Sequence, residues 1–225
     1  MGENKSRESI IRNGYKGNSN KYDDYITSRK LWSKIIVKLI WGIRDKEYVN
    51  TITTLLPNDF HGKLLDIPTG TAIFTYEKYQ QMNNADVFCV DYSQEMLNHA
   101  QEKFNALNIK NVHCIQGDVG NLPFENNYFD IVLSMNGFHA FPNKEKAFSE
   151  ILRVLKSGGK FFGCFYIKGE RRISDWFIRN LFVRNGTFTP PFITKGEVEL
   201  RLKDEYTEIK IWNVKSIVCF QCIKK

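Results

Sequence analysis

Short apolar runs alternate with segments of helical periodicity along the central part of the chain. Each run has the length and composition of a buried strand and is bounded by turn-forming residues. The apolar residues between the runs recur at the i, i+3, i+4 spacing of amphipathic helices. The predicted strands are residues 63–67, 86–91, 112–116, 128–134 and 160–167, and the predicted helices are 73–81, 93–107 and 143–155. Strands that alternate with helices in this way predict a parallel sheet with helices on both faces.

The two ends of the chain depart from this alternation. Residues 1–21 are polar, whereas Trp32 begins an amphipathic helical pattern and residues 45–56 form a second one. After a predicted helix at residues 197–206, two apolar runs are separated only by a short gap near Lys215. So short a connection predicts an antiparallel hairpin. We therefore expect a seven-stranded α/β sheet at residues 60–225, with a helical N-terminal cap or lid at residues 1–59 of a single domain.

Composition excludes several classes of protein. With 225 residues, of which 42% are hydrophobic and 14% aromatic, the chain can bury a sizeable core. It has no secretory-signal pattern and no uncharged apolar stretch of membrane-spanning length, so we expect a soluble cytoplasmic protein. The five cysteines are an odd number placed in apolar runs, which favours core positions in a reducing compartment. The net charge of +7 fits an anionic partner or an ordinary solvated surface.

The sequence KLLDIPTGTAIFT at residues 63–75 predicts a strand, a turn and a helix. Asp66 ends the apolar run, and Pro68 and Gly70 mark the turn. Such a junction can turn backbone N–H groups toward a polar ligand. It also occurs without a ligand, and only one glycine of a three-glycine loop is present. Taken alone, the junction leaves both interpretations open.

The ends of the other strands carry further polar signals in a fixed order. Their sequences are LLDIPTGTA at residues 64–72, VDYS at 90–93, GDV at 117–119 with LPF at 122–124, FDIV at 129–132, and LRVLKSGG at 152–159. In order and spacing, the chain from residue 63 onward resembles the class I S-adenosylmethionine-dependent methyltransferases, especially the ubiquinone/menaquinone methyltransferase-like group that acts on small molecules. Pro68 and Ala72 stand where the family's D-x-G-x-G-x-G motif has its first and third glycines.

The resemblance implies a Rossmann-like doubly wound sheet, mostly parallel, and S-adenosyl-L-methionine as cofactor. Asp91 would then accept the ribose hydroxyls, as acids at this position do in dinucleotide folds, and Asp118 would accept the adenine amino group. Solvated strand-end or turn acids remain the alternative for both. The full set of implied cofactor-binding residues is Asp66, Pro68, Thr69, Gly70, Asp91, Tyr92, Met96, Asp118, Val119 and Met135.

Methyl transfer from a sulfonium mainly requires alignment and shelter, with a base only if the acceptor must lose a proton. His139 is the predicted catalytic base, although it could equally cap or pack against the following helix. The predicted acceptor-binding residues are Tyr22, Tyr25, Arg29, Trp32, Asn136, Arg172 and Trp176. A solvated basic helix with aromatic packing is the alternative for the last two. The four histidines lack ligand spacing, so we expect no metal.

The resulting hypothesis is an enzyme, a methyltransferase that acts on a small-molecule acceptor of aromatic or anionic character. We expect no nucleic-acid partner and no membrane span. An RNA or protein methyltransferase, suggested by the positive charge, and a noncatalytic protein that keeps the cofactor-binding fold are the alternatives. The sequence leaves open the acceptor, the methylated atom and the oligomeric state.

Overall fold

The computed structural model describes residues 47–225. The predicted amphipathic helix that begins at Trp32 lies outside the described residues, as do the candidate acceptor residues Tyr22, Tyr25 and Arg29. The predicted helix at residues 45–56 corresponds to helix α1, Glu47–Thr53. Within the described residues, no helix is long and apolar enough to cross a membrane.

A seven-stranded sheet forms the centre of the fold, in the order β3-β2-β1-β4-β5-β7-β6. The first five of these strands are parallel, and β7 is antiparallel to both of its neighbours. The mostly parallel sheet with an antiparallel C-terminal hairpin is therefore confirmed. The strands are β1 Gly62–Asp66, β2 Ala85–Asp91, β3 Val112–Gln116, β4 Phe129–Met135, β5 Leu155–Tyr166, β6 Tyr206–Val214 and β7 Ile217–Lys224.

The order of the strands determines where a ligand can bind. Strand β1 pairs with β2 on one side, where Asp66 faces Cys89 in register, and with β4 on the other, where Asp66 faces Leu133. The chain builds outward from β1 through β2 to β3, and then returns to add β4 and β5 on the opposite side. In open α/β sheets, ligands bind at the carboxyl ends of the strands where the order reverses. Here that point lies between β1 and β4.

Helices with well-defined N-caps follow several of the strands. The Ser93 hydroxyl accepts a hydrogen bond from the Met96 N–H at the start of α3, and the Asn143 side chain accepts one from Lys146 N–H at the start of α4. Thr194 and Glu197 form a capping box at α6. The remaining helices are α2 Tyr76–Tyr79, α3 Gln94–Ala106, α4 Lys144–Val154, α5 Arg172–Phe177 with a π-helical turn Ile178–Phe182 after it, and α6 Lys195–Lys203.

Several predicted boundaries were wrong. The helix expected at residues 197–206 ends at Lys203, and Tyr206 begins β6. The helix expected at residues 73–81 is reduced to Tyr76–Tyr79, because residues 73–75 form turns in which the Thr75 N–H donates to the Ala72 carbonyl three residues earlier. Strand β5 begins at Leu155 rather than at residue 160, because the backbone pairs there with Phe129 before the register shifts.

The core consists of two apolar layers, one on each face of the sheet. One layer includes Leu64, Val87 and Cys219, and the other includes Leu65 and Cys222. Residues three apart on a strand point to opposite faces, so Cys219 and Cys222 are separated by the sheet. All five cysteines are free.

Candidate functional site

A cleft of about 460 Å³ opens at the carboxyl ends of the parallel strands. It lies at the point of strand-order reversal between β1 and β4. Its walls come from the loop after β1, the end of β2 with the first turn of α3, the end of β3, and the loop after β4. The lining residues are Ile67, Pro68, Thr69, Gly70, Thr71, Ile73, Phe74, Asp91, Tyr92, Ser93, Gln94, Glu95, Met96, Gln116, Gly117, Asp118, Val119, Met135, Asn136, Ala140, Phe141 and Pro142.

The loop after β1 is held to its neighbouring strands by backbone hydrogen bonds. The Ile67 N–H donates to the Leu133 carbonyl at 2.9 Å, and the Thr69 N–H donates to the Val90 carbonyl at 3.0 Å. Gly70 follows with a φ of 58°, and a Cβ added there would meet no other atom within 4 Å. Gly70 thus presents bare backbone to the cleft, which leaves room for a ligand to approach closely. A proline with a cis Ile67–Pro68 peptide bond and the left-handed Ala72 replace the two other glycines of the motif.

Asp91 is one of three acids that line the cleft. Its side chain is buried at the end of β2, and its two oxygens accept different backbone hydrogen bonds. Oδ2 accepts from the Gly70 N–H at 2.8 Å, and Oδ1 accepts from the Ser93 N–H at 2.8 Å. Burial raises the pKa of Asp91, and the backbone hydrogen bonds oppose that shift. Each carboxylate oxygen still has a further lone pair, so Asp91 can also accept hydroxyl groups of a ligand.

Asp66 does not line the cleft, in contrast to the direct contact with the cofactor that the resemblance implied. Only 1% of its surface is exposed. Its Oδ2 accepts hydrogen bonds from the Tyr79 hydroxyl at 2.7 Å and the Thr75 hydroxyl at 3.2 Å. Burial raises the pKa of Asp66 from 3.8 to about 7, although these two hydrogen bonds lower it. Asp66 thus ties the β1 loop to α2 and acts on the cleft through that loop.

One end of the cleft has the mixture of polar and apolar groups that suits a nucleoside. Asp118 and the buried Val119 follow β3, and the Asp118 Oδ1 accepts the Gly120 N–H at 2.8 Å. Tyr92, which is half exposed, and the buried Met96 lie across the cleft at the start of α3. A flat ring could pack between these walls while Asp118 accepts a hydrogen bond from its edge.

The other end of the cleft is mostly apolar. Met135 ends β4, and the loop that follows turns back through hydrogen bonds from the Ala140 and Phe141 N–H groups to the Gly137 carbonyl. This turn brings Phe141 and Pro142 to the cleft, which Ile73 and Phe74 also line. Asn136 is the predicted acceptor-binding residue that the structure places here, in the left-handed conformation with a φ of 57°.

The structure does not support His139 as a catalytic base. The side chain is buried and does not line the cleft. Its ring stacks on Phe188 with 4.0 Å between centroids, and its Nδ1 accepts the Tyr166 N–H at 3.2 Å. Burial, assisted by the nearby Lys144, lowers the pKa of His139 from 6.5 to about 3. Such a weak base cannot assist proton removal efficiently near neutral pH, and the packing alternative describes this residue better.

The predicted acceptor residues Arg172 and Trp176 lie on α5 and do not line the cleft. Trp32, like the three earlier residues of that group, lies outside the described residues. The described part of the chain contains no group of three His, Cys, Asp or Glu side chains that could hold a metal.

Sequence reasoning missed several residues of the cleft wall. Thr71, Ile73 and Phe74 lie in or just after the β1 loop that the motif identified. Their closeness to the motif in the sequence could have predicted them as cleft residues. Phe141 and Pro142 gave no such signal, because they reach the cleft only through the turn that closes on Gly137. The other lining residues absent from the prediction are Ile67, Ser93, Gln94, Glu95, Gln116, Gly117 and Ala140.

Comparison with known proteins agrees with this geometry. Residues 64–159, which run from within β1 into the start of β5, match the family model of a methyltransferase domain. The match spans 96 of the 225 residues of the chain. The matched residues include the β1 loop, Asp91 and Asp118.

Two curated relatives of the chain are named as methyltransferases, and both names include a quinone. A demethylmenaquinone methyltransferase of Staphylococcus haemolyticus is 30% identical over 169 residues, which are 71% of this chain and 62% of that protein. The ubiquinone/menaquinone biosynthesis C-methyltransferase of Wigglesworthia glossinidia brevipalpis is 36% identical over 100 residues, 44% of this chain and 40% of that protein. The chain thus spans less than two thirds of the length of either relative.

Solved structures show the same fold. A structure of an S-adenosylmethionine-dependent methyltransferase from Thermotoga maritima superposes with a TM-score of 0.64 at 19% identity, covering 90% of this chain and 100% of that one. S-adenosylmethionine is the cofactor that the methyltransferase family implies. The cleft fits it, because bare backbone at Gly70 borders open space and the Asp91 carboxylate faces the same cleft.

Proposed function

We propose that this protein transfers a methyl group from S-adenosylmethionine to a small, apolar, aromatic acceptor of the quinol type. The observation that carries the proposal is the Asp91 carboxylate, held by the N–H groups of Gly70 and Ser93 at the edge of the cleft. That carboxylate is fixed by backbone on both oxygens, so it is preorganised to accept the two hydroxyls of a ribose.

Each wall of the cleft then has a role in binding and alignment. The bare backbone at Gly70 would border the methionine part, Asp91 would accept the ribose hydroxyls, and Asp118 with Val119 would hold the adenine. When bound, S-adenosylmethionine supplies an electrophilic methyl group that needs no further activation. The protein's contribution is therefore to orient the two reactants and to exclude water.

The apolar end of the cleft supports the acceptor class. Phe74, Phe141 and Pro142 present apolar surface, and Asn136 is a polar group that could orient an oxygen of the acceptor. The ionisable residues among the lining side chains, Asp91, Tyr92, Glu95 and Asp118, come from the ends of β2 and β3 and from the first turn of α3. An electron-rich ring that attacks through carbon suits such a site, and the names of the curated relatives point to the same chemistry. We place the reaction in the cytoplasm.

A transfer assay tests the proposal directly. The full chain is incubated with methyl-labelled S-adenosylmethionine and a reduced, demethylated naphthoquinone, and the labelled product is separated by chromatography. We expect labelled quinone with the wild-type protein and strongly reduced labelling with Asp91→Ala. Leu200→Ala, at an exposed position on α6, is the control and should retain the wild-type rate. Labelling of added RNA or protein instead would favour a macromolecular acceptor.

A further inference from the structure

An exposed surface of mixed apolar and basic character follows strand β5. It is formed by α5 and the π-helical turn after it, and we call it the arginine–tryptophan surface. Its residues are Arg172, Ile173, Trp176, Arg179, Leu181 and Arg184. None of them lines the cofactor cleft, so the proposed methyl transfer does not account for their exposure.

The apolar residues of this surface protrude into solvent. Ile173 is 46% exposed, Trp176 is 60% exposed and Leu181 is 49% exposed. Ile173 and Trp176 are three residues apart and lie on one side of α5, and Leu181 follows in the π-helical turn. Ser174 and Ile178 are buried. Exposure of three large apolar side chains so close together is uncommon on a soluble protein and marks an interaction site.

Positive charge predominates on the surface, although Glu170, just before α5, is also exposed. Arg172, Arg179 and Arg184 are all exposed. The acid within the helix, Asp175, is half-buried, and its carboxylate accepts the Tyr166 hydroxyl at 2.6 Å and the Gly169 N–H at 3.1 Å. The three arginines of the surface outnumber this one acid.

We propose that the arginine–tryptophan surface docks the protein on an anionic lipid bilayer. Protruding apolar side chains beside exposed arginines match a bilayer interface, where tryptophan occupies the headgroup level and cations face anionic lipids. A protein partner would instead have to supply apolar pockets and acids together in matching positions. A bilayer supplies both without a specific shape.

The position of the surface gives this docking a consequence for the proposed reaction. Helix α5 begins shortly after the end of β5, at the same carboxyl edge of the sheet as the cleft. Docking through α5 would thus bring that edge of the sheet to the lipid. If the proposed function holds, the acceptor is an amphiphile that enters the apolar end of the cleft from the bilayer.

Vesicle flotation with the full chain tests the docking without any methyl transfer. The probes are vesicles of phosphatidylcholine alone and of phosphatidylcholine mixed with phosphatidylglycerol. We expect the wild-type protein to float with the mixed vesicles and to bind less as salt is raised. Replacing Arg172, Arg179 or Arg184 by glutamine should each reduce partitioning about fivefold. Trp176→Ala should reduce it about tenfold through loss of its interfacial ring.

The exposed Leu200 provides the matched control, because it is 67% exposed but belongs to α6. Leu200→Ala should partition like the wild-type protein, and circular dichroism should show all variants folded. The proposal is overturned if the wild-type protein does not float with anionic vesicles, or if Leu200→Ala loses as much binding as Trp176→Ala. It is also overturned if sedimentation shows a dimer that Trp176→Ala dissociates, since a second copy would then cover the surface. A protein that floats yet fails to bind S-adenosylmethionine would refute the proposed function alone.

Discussion

Replacement of Asp66 by asparagine should stabilise the protein increasingly as pH rises. Asp66 is almost fully buried, and its pKa is raised from 3.8 to about 7 mainly by that burial. The folded state therefore disfavours the charged carboxylate. Asparagine has nearly the same shape, and its carbonyl can accept the hydrogen bonds that Tyr79 and Thr75 now donate to Asp66.

The magnitude follows from the pKa of Asp66 in the folded and unfolded states. Below pH 3.8 the side chain is protonated in both states, and burial of the charge costs nothing. As pH rises, the unfolded chain loses its proton first, so the free energy of unfolding falls until the pH has passed the folded pKa of about 7. At about 1.4 kcal/mol per pKa unit, the full penalty is about 4 kcal/mol, of which about 3 kcal/mol develops between pH 5 and 8.

The assay is urea unfolding of the wild-type protein and Asp66→Asn at pH 5 and at about pH 8, with the difference between the two proteins as the measured quantity. The comparison of two proteins is required because a second buried group, His139, also makes stability depend on pH. Its pKa is lowered to about 3, so it lowers the free energy of unfolding at low pH. In the wild-type protein this effect partly masks the fall in the free energy of unfolding that Asp66 causes as pH rises. Asp204→Asn, which makes the same change at an exposed acid, is the control. A difference between Asp66→Asn and the wild-type protein that does not change with pH would refute the reasoning.

Three further predictions concern the cleft and its support. Gly70→Ala and Gly158→Ala both place a Cβ in open space at positive φ, 58° and 77°, so each should lose about 1 to 2 kcal/mol of stability. Only Gly70→Ala should also weaken binding of the cofactor, by about tenfold as measured by calorimetry. Equal affinities of the two variants for the cofactor would contradict a role of the β1 loop in binding it. The chemical shifts of the His139 imidazole should stay constant in NMR spectra from about pH 5 to 8, because the pKa of this side chain is lowered to about 3. A change of these chemical shifts near pH 6.5 would instead show that the ring is solvated. Lys144→Met should lower the free energy of unfolding by about 1 to 3 kcal/mol, because the Lys144 ammonium donates hydrogen bonds to the Phe141 and Thr189 carbonyls. Urea unfolding measures this change, and an unchanged midpoint would show that these hydrogen bonds contribute nothing to stability.

The sequence predicted the sheet well because its strands are bounded by clear signals. Val112–Gln116 was predicted with its observed limits, and Ser93 was identified as the cap that starts α3. Asp91 could be located at the carboxyl edge of the sheet because it is the last residue of a parallel strand.

The errors arose where long-range contacts decide the structure. Asp66 has the same position relative to its strand as Asp91, yet Tyr79 and Thr75 draw its carboxyl into the core. His139 follows β4 at the cleft edge, but stacking on Phe188, distant in sequence, turns it away. The pattern of residue types does not show which of these side-chain contacts form, so the sequence identified the edge of the sheet and not which side chains point into the cleft.

Calorimetric titration of the full chain with the demethylated cofactor, S-adenosylhomocysteine, tests the central claim most directly. The account predicts saturable binding by the wild-type protein. It also predicts an affinity lower by about 1 to 3 kcal/mol in Asp91→Ala, because the hydrogen bonds to the ribose are lost. Circular dichroism should first establish that the variant is folded. No heat of binding with the wild-type protein, or an unchanged affinity in folded Asp91→Ala, would contradict the account.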